Sequence, residues 1–157
     1  MPVHVKVQAE DFDVGKAYAD IRSSGGANVG AIASFVGLVR DRNAKAGDGT
    51  EVSTLTLEHY PGMTESSMER IGAKALERWP IIDLHIYHRV GELSPTEQIV
   101  LVVASSAHRD AAFAAAEFVM DYLKTDAVFW KKEKTSEGEK WIESTSSDRA
   151  RADQWSS

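Results

Sequence analysis

The stretch "IIDLHIYHRVGELSPTEQIVLVVAS", residues 81–105, holds two strand patterns joined by a short connection. The first pattern alternates between two faces, as a strand does with its period of two. One face carries Ile82, Leu84, Ile86, His88 and Val90, and the other carries Asp83, His85, Tyr87 and Arg89. "GELSPTE" turns the chain into the second strand, "QIVLVVAS", without room for a helical crossover. Such hairpin-sized connections favour a largely antiparallel sheet.

Strand and helix patterns alternate on both sides of this stretch. Val3 and Val5 mark a short strand, Val14, Tyr18 and Ile21 follow at helical spacing, and 29–39 and 52–60 are strand candidates. Hairpin-sized links between strands, mixed with helices, predict an α+β fold. A doubly wound parallel sheet is not expected.

Two longer helices are predicted after turn signals. The first follows "PGMT", with Thr64 as its N-cap, and the second is "AHRDAAFAAAEFVMDYLK", capped by Ser105 or Ser106. Their inward stripes are Met68, Ile71, Ala75 and Trp79 in the first, and Phe113, Ala116, Met120 and Leu123 in the second.

The chain is expected to form one domain. "KWIES" (140–144) is a candidate last strand, which gives the order βαββαββαβ. We predict a single α+β domain over residues 1–143. Residues 144–157 form a polar tail that we expect to be mobile unless Trp155 docks.

Composition limits the partners and the compartment. Eighteen basic and 24 acidic side chains give a net charge of −6, which disfavours a general nucleic-acid binder. The chain has no cysteine and no apolar run of membrane-spanning length, so we expect a cytoplasmic protein that does not enter a membrane. An anionic partner must therefore meet a local positive site.

Several motifs do not support a function. In "HIYH", His85 and His88 are three apart on a strand and point to opposite faces, so we expect no metal site but a core His88 and a surface His85. "GANVGAIASFVG" lacks the ending of a phosphate-binding loop, and no Gly-x-Ser-x-Gly elbow occurs.

Two basic clusters each allow two interpretations. His108 and Arg109 fall in the first turn of a helix, where they either bind an anion or are neutralised by a surface acid such as Asp110. Lys124 ends that helix, and Lys131 follows an aromatic pair. These lysines are either solvated or converge on one pocket walled by the aromatic side chains.

Five segments in order resemble the large, catalytic subunit of molybdopterin synthase. They are "FVGLVRDRN", "LTLEHYPGMTE", "YHRVGEL", "SSAHRDAAF" and "MDYLKTDAVFWKKE", within about residues 28 to 143. The resemblance implies an α/β-hammerhead fold with an added small subdomain. It also implies a sulfurtransferase that converts cyclic pyranopterin monophosphate (precursor Z) to molybdopterin in molybdenum cofactor biosynthesis.

The resemblance also implies partners and site residues. Two sulfurs arrive on the C-terminal Gly-Gly thiocarboxylate of a small ubiquitin-like carrier subunit, and a homodimer of the large subunit binds a carrier at each end, as a heterotetramer. Neither metal nor cofactor is needed. By motif, Lys124 and Lys131 are the expected catalytic residues, and Arg40, His108 and Arg109 are expected to bind the pterin or its phosphate.

Three departures from the family pattern and two rival functions stay open. Val128 stands where proline is usual, the loop "DRNAKAGDGTE" is longer than usual, and Thr96 stands where glycine is common, a change we expect to be harmless. The leading alternative is a carrier-binding module of the same fold without turnover. An unrelated anion-binding protein is the third interpretation.

Overall fold

The computed structural model describes residues 2–41, 52–127, 129–135, 138–142 and 146–156, which contain two four-stranded sheets and four α-helices. The first sheet has strands β1 (Val3–Gln8), β2 (Ala31–Leu38), β4 (Ile81–Arg89) and β6 (Gln98–Ser106). The second has β3 (Val52–His59), β5 (Gly91–Leu93), β7 (Phe129–Thr135) and β8 (Gly138–Ile142). The helices are α1 (Val14–Ser24), α2 (Met63–Arg78), α3 (Arg109–Leu123) and α4 (Ser146–Asp153).

The first sheet has the strand order β1-β4-β6-β2, and all its pairs are antiparallel except β1 with β4. The predicted alternation in β4 is confirmed, because Leu84 and Ile86 enter the core under α2 and α3 while Tyr87 packs on the α1 side. The expected inward residues Met68, Ile71 and Ala75 of α2 fill the same core and confirm that stripe.

The second sheet, ordered β5-β3-β7-β8, is the added subdomain. Leu55, Leu57 and Leu93 pack from it against Val39, just beyond the end of β2. The predicted turn "GELSPTE" therefore contains a short strand of its own, β5, which pairs with β3. Both sheets together confirm the α+β class with mostly antiparallel strands.

Several local predictions were wrong. Ser105 and Ser106 lie buried in β6 and do not cap α3, since Ser106 donates its hydroxyl to the carbonyl of Pro80 at 2.8 Å. Thr64 lies inside the first turn of α2, whose N-cap is Gly62 at a φ of +86°. His85 is buried because His4 and Tyr87 cover its ring.

Two further positions differ from expectation. Phe113 of the α3 stripe is 65% exposed, because it lies at the edge of the surface that packs on the sheet. Thr96 has a φ of +76°, a region that a β-branched residue rarely occupies, so replacing glycine there costs strain and is not harmless.

The C-terminal segment forms α4 and docks Trp155. Its indole stands edge-on to Trp79 and Phe118, with ring centroids 5.4 Å and 5.7 Å away. The indole Nε1–H donates to Oδ2 of the buried Asp121 at 2.8 Å, and the guanidinium of Arg78 donates to the Trp155 carbonyl. Trp155 is therefore docked, which is the condition under which we expected the C-terminal segment to be ordered.

We predict that Trp155→Ala lowers the free energy of unfolding by about 3 kcal/mol, because it removes an aromatic cluster contact and the hydrogen bond to Asp121. Chemical denaturation measures this loss. Trp141→Ala is the matched control: its ring is 55% exposed, and a change within about 0.5 kcal/mol is expected. Equal effects of the two substitutions would contradict the docking of Trp155.

Candidate active site

A cavity of about 840 Å³ lies where the end of β2, the end of α3 and the β7–β8 hairpin meet, with α4 at its side. Three of the five predicted site residues, Arg40, Lys124 and Lys131, line it. Their surroundings are largely apolar or aromatic; the lining includes Phe35, Leu38, Phe129, Trp130 and Trp141.

Lys124 stands at the end of α3 for two local reasons. The alanine-rich sequence of α3 favours a helix up to Leu123, and Lys124 is its C-cap, with its N–H donated to the carbonyl of Met120 at 3.2 Å. A cation at this end is stabilised by the helix dipole. The side chain is exposed towards the cavity that it lines.

Lys131 reaches the same cavity after a tight turn. The amides of Thr125 and Asp126 both donate to the carbonyl of Tyr122, which reverses the chain before β7 begins at Phe129. In β7, Phe129 and Lys131 share one face because they are two residues apart. Val128, the departure from the family's proline, lies outside the described residues. Lys131 nevertheless lines the cavity together with Lys124.

Arg40 follows the buried Val39 at the end of β2. The Val39 amide donates to the carbonyl of Glu97 at 2.9 Å, which fixes the backbone just before Arg40. The arginine is exposed and lines the cavity. Most of the long loop that follows, residues 42–51, lies outside the described residues.

His108 and Arg109 lie at the opposite end of α3. Gly30 donates its amide to the Ser106 carbonyl at 3.0 Å, and a Cβ on Gly30 would come within 2.2 Å of the Ala107 carbonyl oxygen. Only glycine permits this approach, which fixes the start of β2 beside the chain before His108. At about 1.5 Å per residue, Arg109 is about 22 Å from Lys124. Neither residue of the pair lines the cavity.

Sequence reasoning missed three of the six ionisable residues that line the cavity. His88 was predicted as a core histidine; it is buried, but it also lines the cavity. Asp148 and Arg149 come from α4, in the segment predicted as a tail, and no sequence signal indicated them. The sequence indicated that His88 is buried but not that it lines a cavity, because the stack with Phe129 joins strands that are distant in sequence.

The His88 ring is held in one protonation state. Its Nδ1 is 2.8 Å from the Arg89 carbonyl, which can only accept, and the ring stacks on Phe129 with centroids 3.8 Å apart. Burial lowers the pKa of His88 to about 3, and the nearby charges of Lys131 and Lys124 act in the same direction. The imidazole is therefore neutral at physiological pH.

We predict that this buried imidazole makes stability depend on pH. The unfolded chain binds the His88 proton below about pH 6.5, whereas the folded chain binds it only near pH 3. The free energy of unfolding therefore does not depend on His88 protonation above pH 6.5. As pH falls from 6.5 towards 3, proton binding by the unfolded chain lowers the free energy of unfolding by up to about 1.4 kcal/mol per pH unit.

Denaturation between about pH 7 and pH 4.5 measures this slope. His88→Gln, which lacks a titrating ring, is expected to lose stability less steeply; His85, whose pKa burial also lowers, accounts for part of the slope that remains. Parallel curves for the two proteins would contradict the assignment to His88.

The electrostatics of the cavity contrast with those of the whole chain. The chain carries a net charge of −6, yet Arg40, Lys124, Lys131 and Arg149 bring four cations to one cavity, against the carboxylate of Asp148. Such a site attracts an anion, and the aromatic side chains beside the charges lower the local dielectric constant, which strengthens the attraction. The cationic side chains can neutralise the charge of a bound anion, and the lysine ammonium groups can also donate protons to it.

The described ranges hold no cluster of three or more acidic or histidine side chains with metal-binding geometry. Nor do they include a helix of the length and apolarity needed to cross a membrane.

Comparisons with known proteins agree on one family. The model of the MoaE protein family matches residues 7–126. The molybdopterin synthase catalytic subunit of Vibrio cholerae is 51% identical over 155 residues, covering 99% of both chains. Among solved structures, the molybdopterin cofactor biosynthesis protein E from Burkholderia multivorans superposes with a TM-score of 0.82 at 49% identity, over 100% of this chain and 99% of that one. Molybdopterin synthase from Staphylococcus aureus gives 0.76 at 30% identity, over 87% and 95%.

Proposed function

This chain belongs to the MoaE protein family, and we propose that the cavity lined by Lys124 and Lys131 is where it transfers sulfur as the catalytic subunit of molybdopterin synthase. The observation that carries the proposal is the meeting of Arg40, Lys124 and Lys131 in one aromatic-walled cavity of an acidic chain. The two lysines come from separate elements, the end of α3 and the middle of β7.

Both proposed substrates are anions. The thiocarboxylate of a small carrier subunit and the cyclic phosphate of precursor Z each carry negative charge, so a cationic cavity binds them against the overall charge of the protein. Because sulfur arrives already activated on the carrier, the reaction needs positioning, charge balance and proton transfer. These are tasks that lysine side chains perform.

The proposed reaction gives each lysine a role. The carrier's sulfur attacks the pterin side chain, and Lys124 transfers protons or stabilises the acyl-carrier adduct. Lys131 balances the charge of the thiocarboxylate and of the phosphate oxygen that leaves. Water then releases the spent carrier as a carboxylate, and a second thiocarboxylate delivers the second sulfur.

A second copy of the chain is proposed to complete the site. His108 and Arg109 are about 22 Å along α3 from Lys124, so one chain alone does not bring all five residues together. The helix runs alongside β2: its start lies near Gly30 and its end near Leu38. A two-fold axis across the middle of β2 would exchange these ends and bring the partner's pair to Lys124.

The surface needed for this pairing is available. β2 is an edge strand of the first sheet, and a groove of about 600 Å³ lies between it and α3. Phe35 and Phe113 line the groove and are 44% and 65% exposed, and Lys124 lies on its rim. Apolar side chains at a strand edge are what a homodimer would cover. With one carrier for each cavity the assembly would be a heterotetramer.

The alternative is a module that binds the carrier without turnover. Docking alone would not require an arginine and two lysines around one cavity, which favours the enzyme. We assign the reaction to the cytoplasm, in keeping with a chain that has no cysteine to oxidise.

Conversion of precursor Z tests the proposal. The purified chain is mixed with thiocarboxylated carrier and precursor, and molybdopterin is detected as product. We expect molybdopterin to form only when all three components are present. A stable complex with the carrier and no product would identify the docking module instead.

A further inference from the structure

We propose that His88 is a positioning residue for Lys131: its ring holds β7 in place through Phe129, and its Nε2 is the hydrogen-bond acceptor for the Lys131 ammonium. The inference deepens the proposed function, since the role of Lys131 rests on it. The geometry of His88 itself does not depend on which reaction the cavity performs.

The tautomer of His88 follows from its backbone contact. A carbonyl oxygen has no proton to give, so Nδ1, at 2.8 Å from the Arg89 carbonyl, must carry the ring proton and donate it. In a neutral imidazole the other nitrogen is then an acceptor. His88 thus has one fixed donor and one lone pair, on Nε2.

The lone pair of Nε2 opens on the cavity. Within the described parts of the chain, no fully enclosed side-chain nitrogen or oxygen lacks a hydrogen-bond partner, and the His88 ring makes its hydrogen bond through Nδ1. Nε2 therefore reaches open space, and the space that His88 lines is the cavity of Lys124 and Lys131. An acceptor at the base of a cationic cavity is suited to an ammonium group.

The stack on Phe129 relates His88 to Lys131 in space. His88 belongs to the first sheet and Phe129 to the second, and their rings lie 3.8 Å apart with planes inclined by 21°. Phe129 is two residues before Lys131, so both side chains leave β7 on the same face. The stack thus fixes the strand that carries Lys131 against the strand that carries His88.

The charged groups around His88 help to keep its ring neutral, so that Nε2 remains a hydrogen-bond acceptor. Lys131 from β7, Lys124 from α3 and His59 from β3 all oppose a positive charge on the ring, beside the larger effect of burial. Carboxylates also face Lys131, with Glu133 on the same side of β7 and Asp148 from α4 at the cavity wall. A test must therefore separate the effect of His88 from theirs.

Three substitutions separate the functions of the ring. His88→Phe keeps a ring for the stack but has no nitrogen. His88→Asn keeps a donor near Nδ1 without an acceptor near Nε2, and His88→Gln places an amide oxygen near Nε2. The carboxylates are unchanged in all three, so differences among the variants report on His88.

The measurement is the titration of the Lys131 ammonium, followed through the side-chain carbon-13 resonances of labelled lysine and assigned with Lys131→Arg. It needs neither carrier nor pterin, so it remains informative if the proposed function fails. Because an acceptor stabilises the charged form, we expect the titration midpoint to fall in His88→Phe and His88→Asn and to stay near the wild-type value in His88→Gln.

Product formation provides the second readout. We expect a loss of about tenfold in His88→Phe and His88→Asn, as for one hydrogen bond to a charged group, and less than about threefold in His88→Gln. If His88→Phe matches the wild type in both readouts, Nε2 is not used and the proposal is wrong. An equal fall in all three variants, in parallel with thermal stability, would show a structural role alone.

Discussion

Replacing Lys124 with alanine is expected to reduce molybdopterin formation by about 100-fold to 10,000-fold, and Lys131→Ala is expected to do the same. In the proposed reaction, each substitution removes a proton-transferring or charge-balancing group from the aromatic-walled cavity. Both side chains end at the cavity surface, so the fold should tolerate the change. Product formation under saturating carrier measures the effect on the chemical steps.

Lys132→Ala is the matched control for Lys131→Ala. Lys132 is the next residue of β7 but does not line the cavity. Its ammonium lies 5.3 Å from the Trp141 ring centroid and 3.3 Å from a Glu139 carboxylate oxygen. We expect near wild-type product formation from this variant. If Lys131→Ala were as active as Lys132→Ala, the proposed role of Lys131 would be rejected.

The second large effect concerns His108 and Arg109. Their joint replacement by alanine is expected to lower product formation by about 100-fold, since charge-assisted contacts to the substrate phosphate are lost. Because the pair is about 22 Å from Lys124 along α3, we expect the loss to act on the cavity of a partner chain.

Mixed dimers distinguish this arrangement from one within a single chain. One copy carries Lys124→Ala, and the other carries His108→Ala and Arg109→Ala. If the pair acts across the dimer, one of the two cavities is complete, and about half of the wild-type activity returns. If all residues act within one chain, both cavities are defective and the mixed dimer stays inactive, which would refute the proposed pairing.

Periodicity was enough to predict the individual strands of the first sheet and the helices α1 to α3. The apolar alternation in β4 and the apolar stripe of α2 both arise because one face of each element is buried. Hydrophobic periodicity in a sequence reports this kind of burial directly. Motif resemblance, which the comparisons confirm, then identified the family and its function.

Long-range contacts account for what sequence reasoning did not find. β7 contains four charged residues, and its strand character depends on pairing with β3 and β8 rather than on an apolar pattern. The docking of Trp155 needs Trp79 and Phe118, which are distant in sequence. The cavity role of His88 likewise depends on a stack between the two sheets.

The separation of His108 and Arg109 from the lysines is also a property of the folded chain. Their motifs lie close in sequence, at the two ends of one helix, and only the straight course of that helix keeps them apart. Sequence spacing alone could not say which chain of a dimer supplies each pocket residue, whereas the length of the helix favours the proposed two-chain arrangement.

The state of the carrier's C-terminus tests the central claim, that sulfur leaves the carrier in this cavity, most directly. Intact mass of the carrier is measured after a single turnover with the chain and precursor Z. We predict that the wild-type chain converts two thiocarboxylates to carboxylates for each molybdopterin formed, while Lys131→Ala binds the carrier and leaves its sulfur in place. A wild-type chain that binds the carrier yet leaves every thiocarboxylate intact in the presence of precursor would contradict the account.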